Sequence, residues 1–214
     1  MLDSDQTKIL ELLASKICHD LISPVGAVSN GIEILEELGP DAGEEVTGLI
    51  AFSASQANAK LKTMRMAYGL GGSDNSIKAE DVHKIFGEYI EGEKRLSQDW
   101  DPYAGFNAAH KSGFAKILLC GLMLVTEALP KGGILRVRPD GNEVTLIEGE
   151  GEGARFRDFF IDALHNKIDM DDMDPKFVHP YVTGLMLQRY GFHLDVDDTK
   201  NDIISLRLSL SNVS

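Results

Sequence analysis

Among the six histidines of this 214-residue chain, His19 is followed at once by Asp20 and, five positions on, by Pro24. A histidine in water is largely neutral at pH 7, and a neutral ring nitrogen is a nucleophile. An adjacent carboxylate can hold the ring N–H and fix its orientation. A proline shortly after removes one backbone donor and loosens the preceding turn. Together these residues suit attack by an imidazole on an electrophile, with Asp20 as orienter. Position alone is also met by an isolated surface histidine on a helix.

Apolar spacing indicates which elements carry this group. Apolar or small residues recur at Leu10, Ala14, Ile17, Leu21, Val28, Gly31, Leu35 and Leu38 in alternating steps of three and four, which predicts one long helix from Lys8 to Leu38. At ~1.5 Å per residue it would run about 46 Å, the length of one arm of a bundle. With Ile17 at a d position of the seam, His19 falls at the outward f position and Asp20 at g. Ser15, Lys16, Ile22 and Ser23 lie three or four residues from His19 and share its face. With Gly26 and Asn30 they make a candidate partner surface.

Gly39-Pro-Asp-Ala-Gly43 stops the helix. A second helical seam follows at Leu49, Phe52, Gln56, Ala59, Thr63, Met66 and Leu70, and so short a loop makes the two helices antiparallel. With the turn near Ala42, Arg65 comes level with His19 to within a turn and is a candidate to stabilise negative charge on a group held there. Lys16 is the alternative for that charge.

Gly69-Leu-Gly-Gly-Ser-Asp-Asn-Ser76 cannot continue a helix and predicts a boundary between a hairpin domain, residues 1–72, and a second domain, residues 77–214. The second domain alternates helices (Val82 to Leu96, Lys111 to Leu129, Arg155 to Leu164, Phe177 to Tyr190) with two hairpins. One hairpin turns at Pro139-Asp-Gly141; the other joins His193–Val196 to Ile203–Leu210 across a polar turn at Asp197–Asp202. This pattern predicts a mixed sheet covered by helices on one face.

With 43% hydrophobic residues the chain can bury a core, and its net charge of -13 argues against nucleic acid and anionic membrane surfaces as partners. Cys18 and Cys120, far apart, form neither a disulfide framework nor a zinc-ligand set. The first residues lack a basic and an apolar region, and the most apolar stretch, Ile117 to Leu129, is too short to span a bilayer. A cytoplasmic protein is expected.

Ile17-Cys-His-Asp-Leu-Ile-Ser-Pro-Val-Gly-Ala27, on a long helix followed by an antiparallel partner, resembles the H-box of two-component histidine kinases, matching at His19, Asp20, Leu21 and Pro24. Lys116-Ile-Leu-Leu-Cys-Gly-Leu-Met-Leu-Val-Thr-Glu-Ala-Leu-Pro-Lys-Gly-Gly133 resembles the kinase N-box and its exit. However, Cys120 and Leu124 stand where that family has asparagines, and leucine offers a hard cation no ligand atom. Glu148-Gly-Glu-Gly-Glu-Gly153 replaces the nucleotide-binding Asp-x-Gly-x-Gly with carboxylates that repel phosphate. Thr183-Gly-Leu-Met-Leu187 keeps one lid glycine.

A phosphoacceptor kept and an ATP site lost resembles the alphaproteobacterial histidine phosphotransferases over essentially the whole chain. The resemblance implies an α plus α/β fold: a helical hairpin that forms a four-helix bundle on dimerisation, and a degenerate histidine-kinase-like, Bergerat-type sandwich. It implies a homodimer that shuttles a phosphoryl group between receiver-domain aspartates through His19. The partners would be the receiver of a hybrid histidine kinase and response-regulator receivers, with Mg²⁺ on the receiver and no ATP or metal on this chain. An ATP-dependent autokinase with a divergent pocket and a non-catalytic dimeric adaptor are the competing readings.

Asp169-Met-Asp-Asp-Met-Asp174 lacks the glycine and alternating ligands of a calcium loop and is expected to be an acidic cap. His165, His179 and His193 have no metal-ligand spacing and are expected to be structural. Cys18 is expected at the seam edge.

Overall fold

The computed structural model describes residues 4–70, 76–141 and 143–211. Helix α1 spans Ser4–Leu38, with Pro24 accommodated inside it. A 3-10 turn, Gly39–Ala42, leads into α2, Gly43–Tyr68. Gly39 and Gly43 take φ of 54° and 72°, the left-handed region that glycine enters without a Cβ penalty. The two helices pack antiparallel as the spacing predicts. They approach closely at Gly31, where a Cβ would lie 2.5 Å from Ile50 Cγ1.

One stripe of α2, including Ser53, Gln56, Ala59, Thr63 and Ala67, is buried against α3 (Ala79–Ile90) and α4 (Phe114–Glu127). Much of the predicted linker, residues 71–75, lies outside the described residues. The helix expected to reach Leu96 ends at Ile90. Gly92 turns there against the Gln56 side chain, where a Cβ would lie 2.3 Å from Oε1. Leu96–Gln98 instead form a short strand, β1.

Helix α4 is apolar on nearly every side, and all its residues from Phe114 to Val125 are buried, as expected for a helix enclosed on all faces. Its one lysine, Lys116, is 2% exposed and donates to the carbonyls of Ala67 (2.9 Å) and Gly69 (2.6 Å). Its ammonium thus serves the acceptor end of α2, where carbonyls lack helical partners.

The sheet has the order β1-β2-β3-β5-β4, with β1 and β2 parallel and the other neighbours antiparallel. β2 (Gly133–Asp140) and β3 (Val144–Glu150) form the hairpin predicted at Asp140-Gly141. β4 (Phe192–Lys200) runs further than expected before pairing back on β5 (Ile203–Leu210), because Asp197 and Lys200 hold ladder positions across an irregular register.

Of the predicted helix Arg155–Leu164, only α5, Phe160–Leu164, forms. Phe159 has φ of 64°, which a right-handed helix cannot contain. Helix α6 follows at Val178–Tyr190. Leu135, Val137, Ile147, Leu194, Ile204, Leu206 and Leu208 are buried on one sheet face beneath α4 and α6. The other face carries ion pairs such as Arg136–Glu150 and Arg207–Asp140, both at 2.6 Å. Among the described residues no helix is long and apolar enough to cross a membrane.

The remaining lid glycine, Gly184, has a packing role. A Cβ there would lie 2.0 Å from the Leu164 carbonyl oxygen, so α5 or α6 would have to move. Gly184→Ala is expected to destabilise the protein by roughly 1–3 kcal/mol, read as a lower urea midpoint at an unchanged slope.

Candidate functional site

His19 projects from α1 with 88% of its side-chain surface exposed. Its Nδ1 lies 3.4 Å from Asp20 Oδ1, so the tautomer with its proton on Nδ1 would donate to that carboxylate and leave the Nε2 lone pair facing outward. Asp20 is three-quarters covered, and its Oδ2 is 3.7 Å from Lys16 Nζ one turn back on the same helix.

From Lys16 the contacts cross to the second unit. Lys16 Nζ is 3.1 Å from Glu127 Oε1 at the last residue of α4. The same oxygen lies 3.2 Å from Nδ1 of His179, in the first turn of α6 and fully buried. The Tyr68 ring stands edge-on to His179, centroids 5.8 Å apart. A chain of charged and polar contacts therefore runs from the exposed imidazole into the core of the second unit.

The electrostatics follow from this arrangement. Burial would raise the Glu127 carboxyl, but His179 and then Lys16 overcome it and hold it at about 2. Burial would lower the Lys16 ammonium, but Glu127 and then Asp20 raise it. Both groups stay charged at neutral pH.

Around His19, Ser15, Ile22, Ser23 and Asn30 are exposed on α1, Ile22 at 69%, while Lys16 and Gly26 are partly covered. Ser23 also edges a cleft of about 400 Å³ between the hairpin and the second unit, lined further by Pro24, Gln56, Lys60, Tyr89 and Arg95. Arg65 is exposed on α2. Extending the Gly31–Ile50 pairing along the helices brings Lys62 level with His19 and puts Arg65 about a turn away, level with Lys16. Lys62 pairs with Glu88 at 3.0 Å. Among the described residues Arg65 makes no ion pair, with Asp20 or any other carboxylate.

Cys120 and Leu124 are buried in α4, and burial pushes the Cys120 thiol up to about 12. Phe156 and Phe160 stack with centroids 4.3 Å apart beside Leu124, where a cavity of only about 20 Å³ remains. Asp169 and Asp174 accept the N–H groups of Asp171 and Lys176, as caps do. Cys18 is exposed rather than packed at the seam edge. His193 pairs with Asp195 at 3.0 Å. Glu127 and His179 are the members of the cluster that spacing did not assign. The local signal was a glutamate ending a buried helix, where the helix dipole disfavours it.

A family model described as the histidine phosphotransferase C-terminal domain matches residues 79–202. The protein phosphotransferase ChpT of Brucella abortus (strain 2308) is 34% identical over 197 residues, which cover 90% of this chain and 91% of that protein. A solved structure of a bacterial phosphotransferase is 30% identical, with a TM-score of 0.74 and 98% of each chain covered.

Because the folded Glu127 carboxyl titrates near 2 rather than its ordinary 4.5, the unfolded chain binds more protons between those values. The stability contributed by its charge is complete above 4.5 and is lost as pH falls through about 2. The side chain is 36% exposed, so water screens part of the effect. Urea unfolding of the parent and Glu127→Gln should therefore differ at pH 6 and converge towards pH 2; a pH-independent gap would contradict the assignment.

Proposed function

We propose, for a chain that belongs to the histidine phosphotransferase family and is a phosphotransferase of a phosphorelay, that His19 is the residue that carries the phosphoryl group. The observation that carries this reading is an imidazole 88% exposed on a long helix, with Nδ1 against Asp20. Nε2 attacks the phosphorus of a receiver's aspartyl phosphate. The new N–P bond forms as the acyl O–P bond breaks, and its electron pair leaves with the receiver's carboxylate. The ring is then cationic with its proton on Nδ1, and Asp20 offsets that charge. Attack by a second receiver's carboxylate on the phosphorus reverses the step and restores the neutral imidazole.

The partners in this reading are the receiver of a hybrid kinase and response-regulator receivers, which bring Mg²⁺ with them. They would dock over Ser15, Lys16, Ile22, Ser23, Gly26 and Asn30. Specific interfaces cover about 800 Å² per partner, enough to extend from His19 over this stretch of α1. The protein would work in the cytoplasm and without ATP. Two observations support the absence of a nucleotide: aliphatic and thiol side chains at the asparagine positions, and stacked phenylalanines beside a cavity far below the ~300 Å³ of a ligand pocket.

The hairpin exposes Leu10, Val25, Ile32, Leu38, Leu49, Phe52 and Leu61, each at 45% or more. Pairing two hairpins into a four-helix bundle would bury such a stripe.

Two measurements test the proposal. Incubation with a ³²P-labelled phosphorylated receiver should label the parent and not His19→Ala, while labelled Mg²⁺-ATP should label neither. Label on His19→Ala would remove the residue from the relay, and label from ATP would favour an autokinase. Sedimentation at micromolar concentration should give a dimer, and Leu49→Lys with Leu61→Lys should give a folded monomer. A monomeric parent would refute the bundle.

A further inference from the structure

Glu127 occupies an unfavourable position for a carboxylate, at the carboxyl end of a buried helix, yet it is held ionised by Lys16 and His179. Lys16 and Asp20 are one turn apart on α1, a spacing at which a lysine and an aspartate ordinarily close on each other. Closed in that way, the ammonium would compete with the His19 Nδ1–H for the Asp20 carboxylate. Lys16 Nζ instead lies 3.1 Å from Glu127 and only at the outer range of an ion pair with Asp20 Oδ2, at 3.7 Å, which leaves Oδ1 facing His19 Nδ1 at 3.4 Å.

We propose that Glu127 is a positioning residue for phosphotransfer. By holding Lys16 on the second unit it leaves Asp20 to accept the His19 Nδ1–H, and so keeps the Nε2 lone pair directed at the incoming phosphoryl group. His179 in turn fixes Glu127: its ring is buried in the first turn of α6, and its Nδ1 meets the oxygen that Lys16 also meets. Lys16 belongs to the mechanism through its position, and the second unit takes part in setting up the nucleophile on α1. The proposal rests on the reading of His19 as the phosphoryl carrier.

The test is a double-mutant cycle on the full chain, with single-turnover transfer from a labelled phosphorylated receiver at saturating concentration. The parent, run first, separates the two claims: a parent without label on His19 rejects the carrier, whereas a labelled parent puts only the positioning role at stake. Glu127→Gln should slow transfer about tenfold and leave the half-saturating receiver concentration unchanged. In a Lys16→Met background the same substitution should change the rate by less than about twofold, because no ammonium is left to capture Asp20. Glu127→Asp keeps the charge but shortens its reach. It should slow transfer in the same Lys16-dependent way and supplies the comparison if Glu127→Gln does not fold.

The ring ¹⁵N shifts of His19 give a readout that a purely structural role would not move. They should report a proton on Nδ1 in the parent, a shift towards Nε2–H in Glu127→Gln, and a return when Lys16→Met is added. Equal rates in the parent and Glu127→Gln, an equal loss in both backgrounds, or unchanged His19 shifts would each overturn the proposal.

Discussion

A carboxylate at the end of a buried helix faces the negative pole of the helix dipole and needs donors beside it, and at the end of α4 the protein supplies them from two directions. Lys16 arrives from the hairpin and His179 from α6, both on one oxygen of Glu127. Removing either partner would take from the carboxylate one of the two groups that meet it, so the placement of α1 against the second unit and the ionisation of Glu127 are linked. Lys116 adds a second tie a few turns away, with its buried ammonium on the carbonyls that end α2. The start of α1 adds a third: Ile9 packs with Ala163, Met173 and Phe177, and Lys8 donates to the Met170 carbonyl.

These ties hold the hairpin against the second unit at several points. His19 can then be almost wholly exposed and still have one ring nitrogen directed, because the lysine that would otherwise close on its orienting carboxylate is held by a group on the second unit. Exposure serves docking and burial serves direction. A one-residue offset along the helix, His19 outward and Asp20 inward, provides both.

The hairpin was legible because its apolar stride persists over many turns and its loop contains the glycines that such a turn requires. Helix α4 was legible because it is apolar throughout. What was not legible depended on distant partners. The three residues of β1 are too few to show alternation and become a strand only by pairing with β2. The truncation of α5 depends on the left-handed Phe159, which no spacing rule registers. The polar end of β4 is held through its backbone register with β5. In the site, His19 with Asp20 was readable as neighbours, and Lys16 as a residue one turn away. The Lys16–Glu127–His179 contacts join three separate helices and could come only from the fold. The Arg65 level depended on the real pairing of the hairpin, which Gly31 and Ile50 set about a turn away from a simple count.

The measurement closest to the central claim is nitrogen–phosphorus NMR on ¹⁵N-histidine protein phosphorylated from a receiver. A one-bond coupling between phosphorus and His19 Nε2, with the proton retained on Nδ1, is the result this account predicts. Phosphorus bonded to Nδ1, or to any residue other than His19, would contradict it.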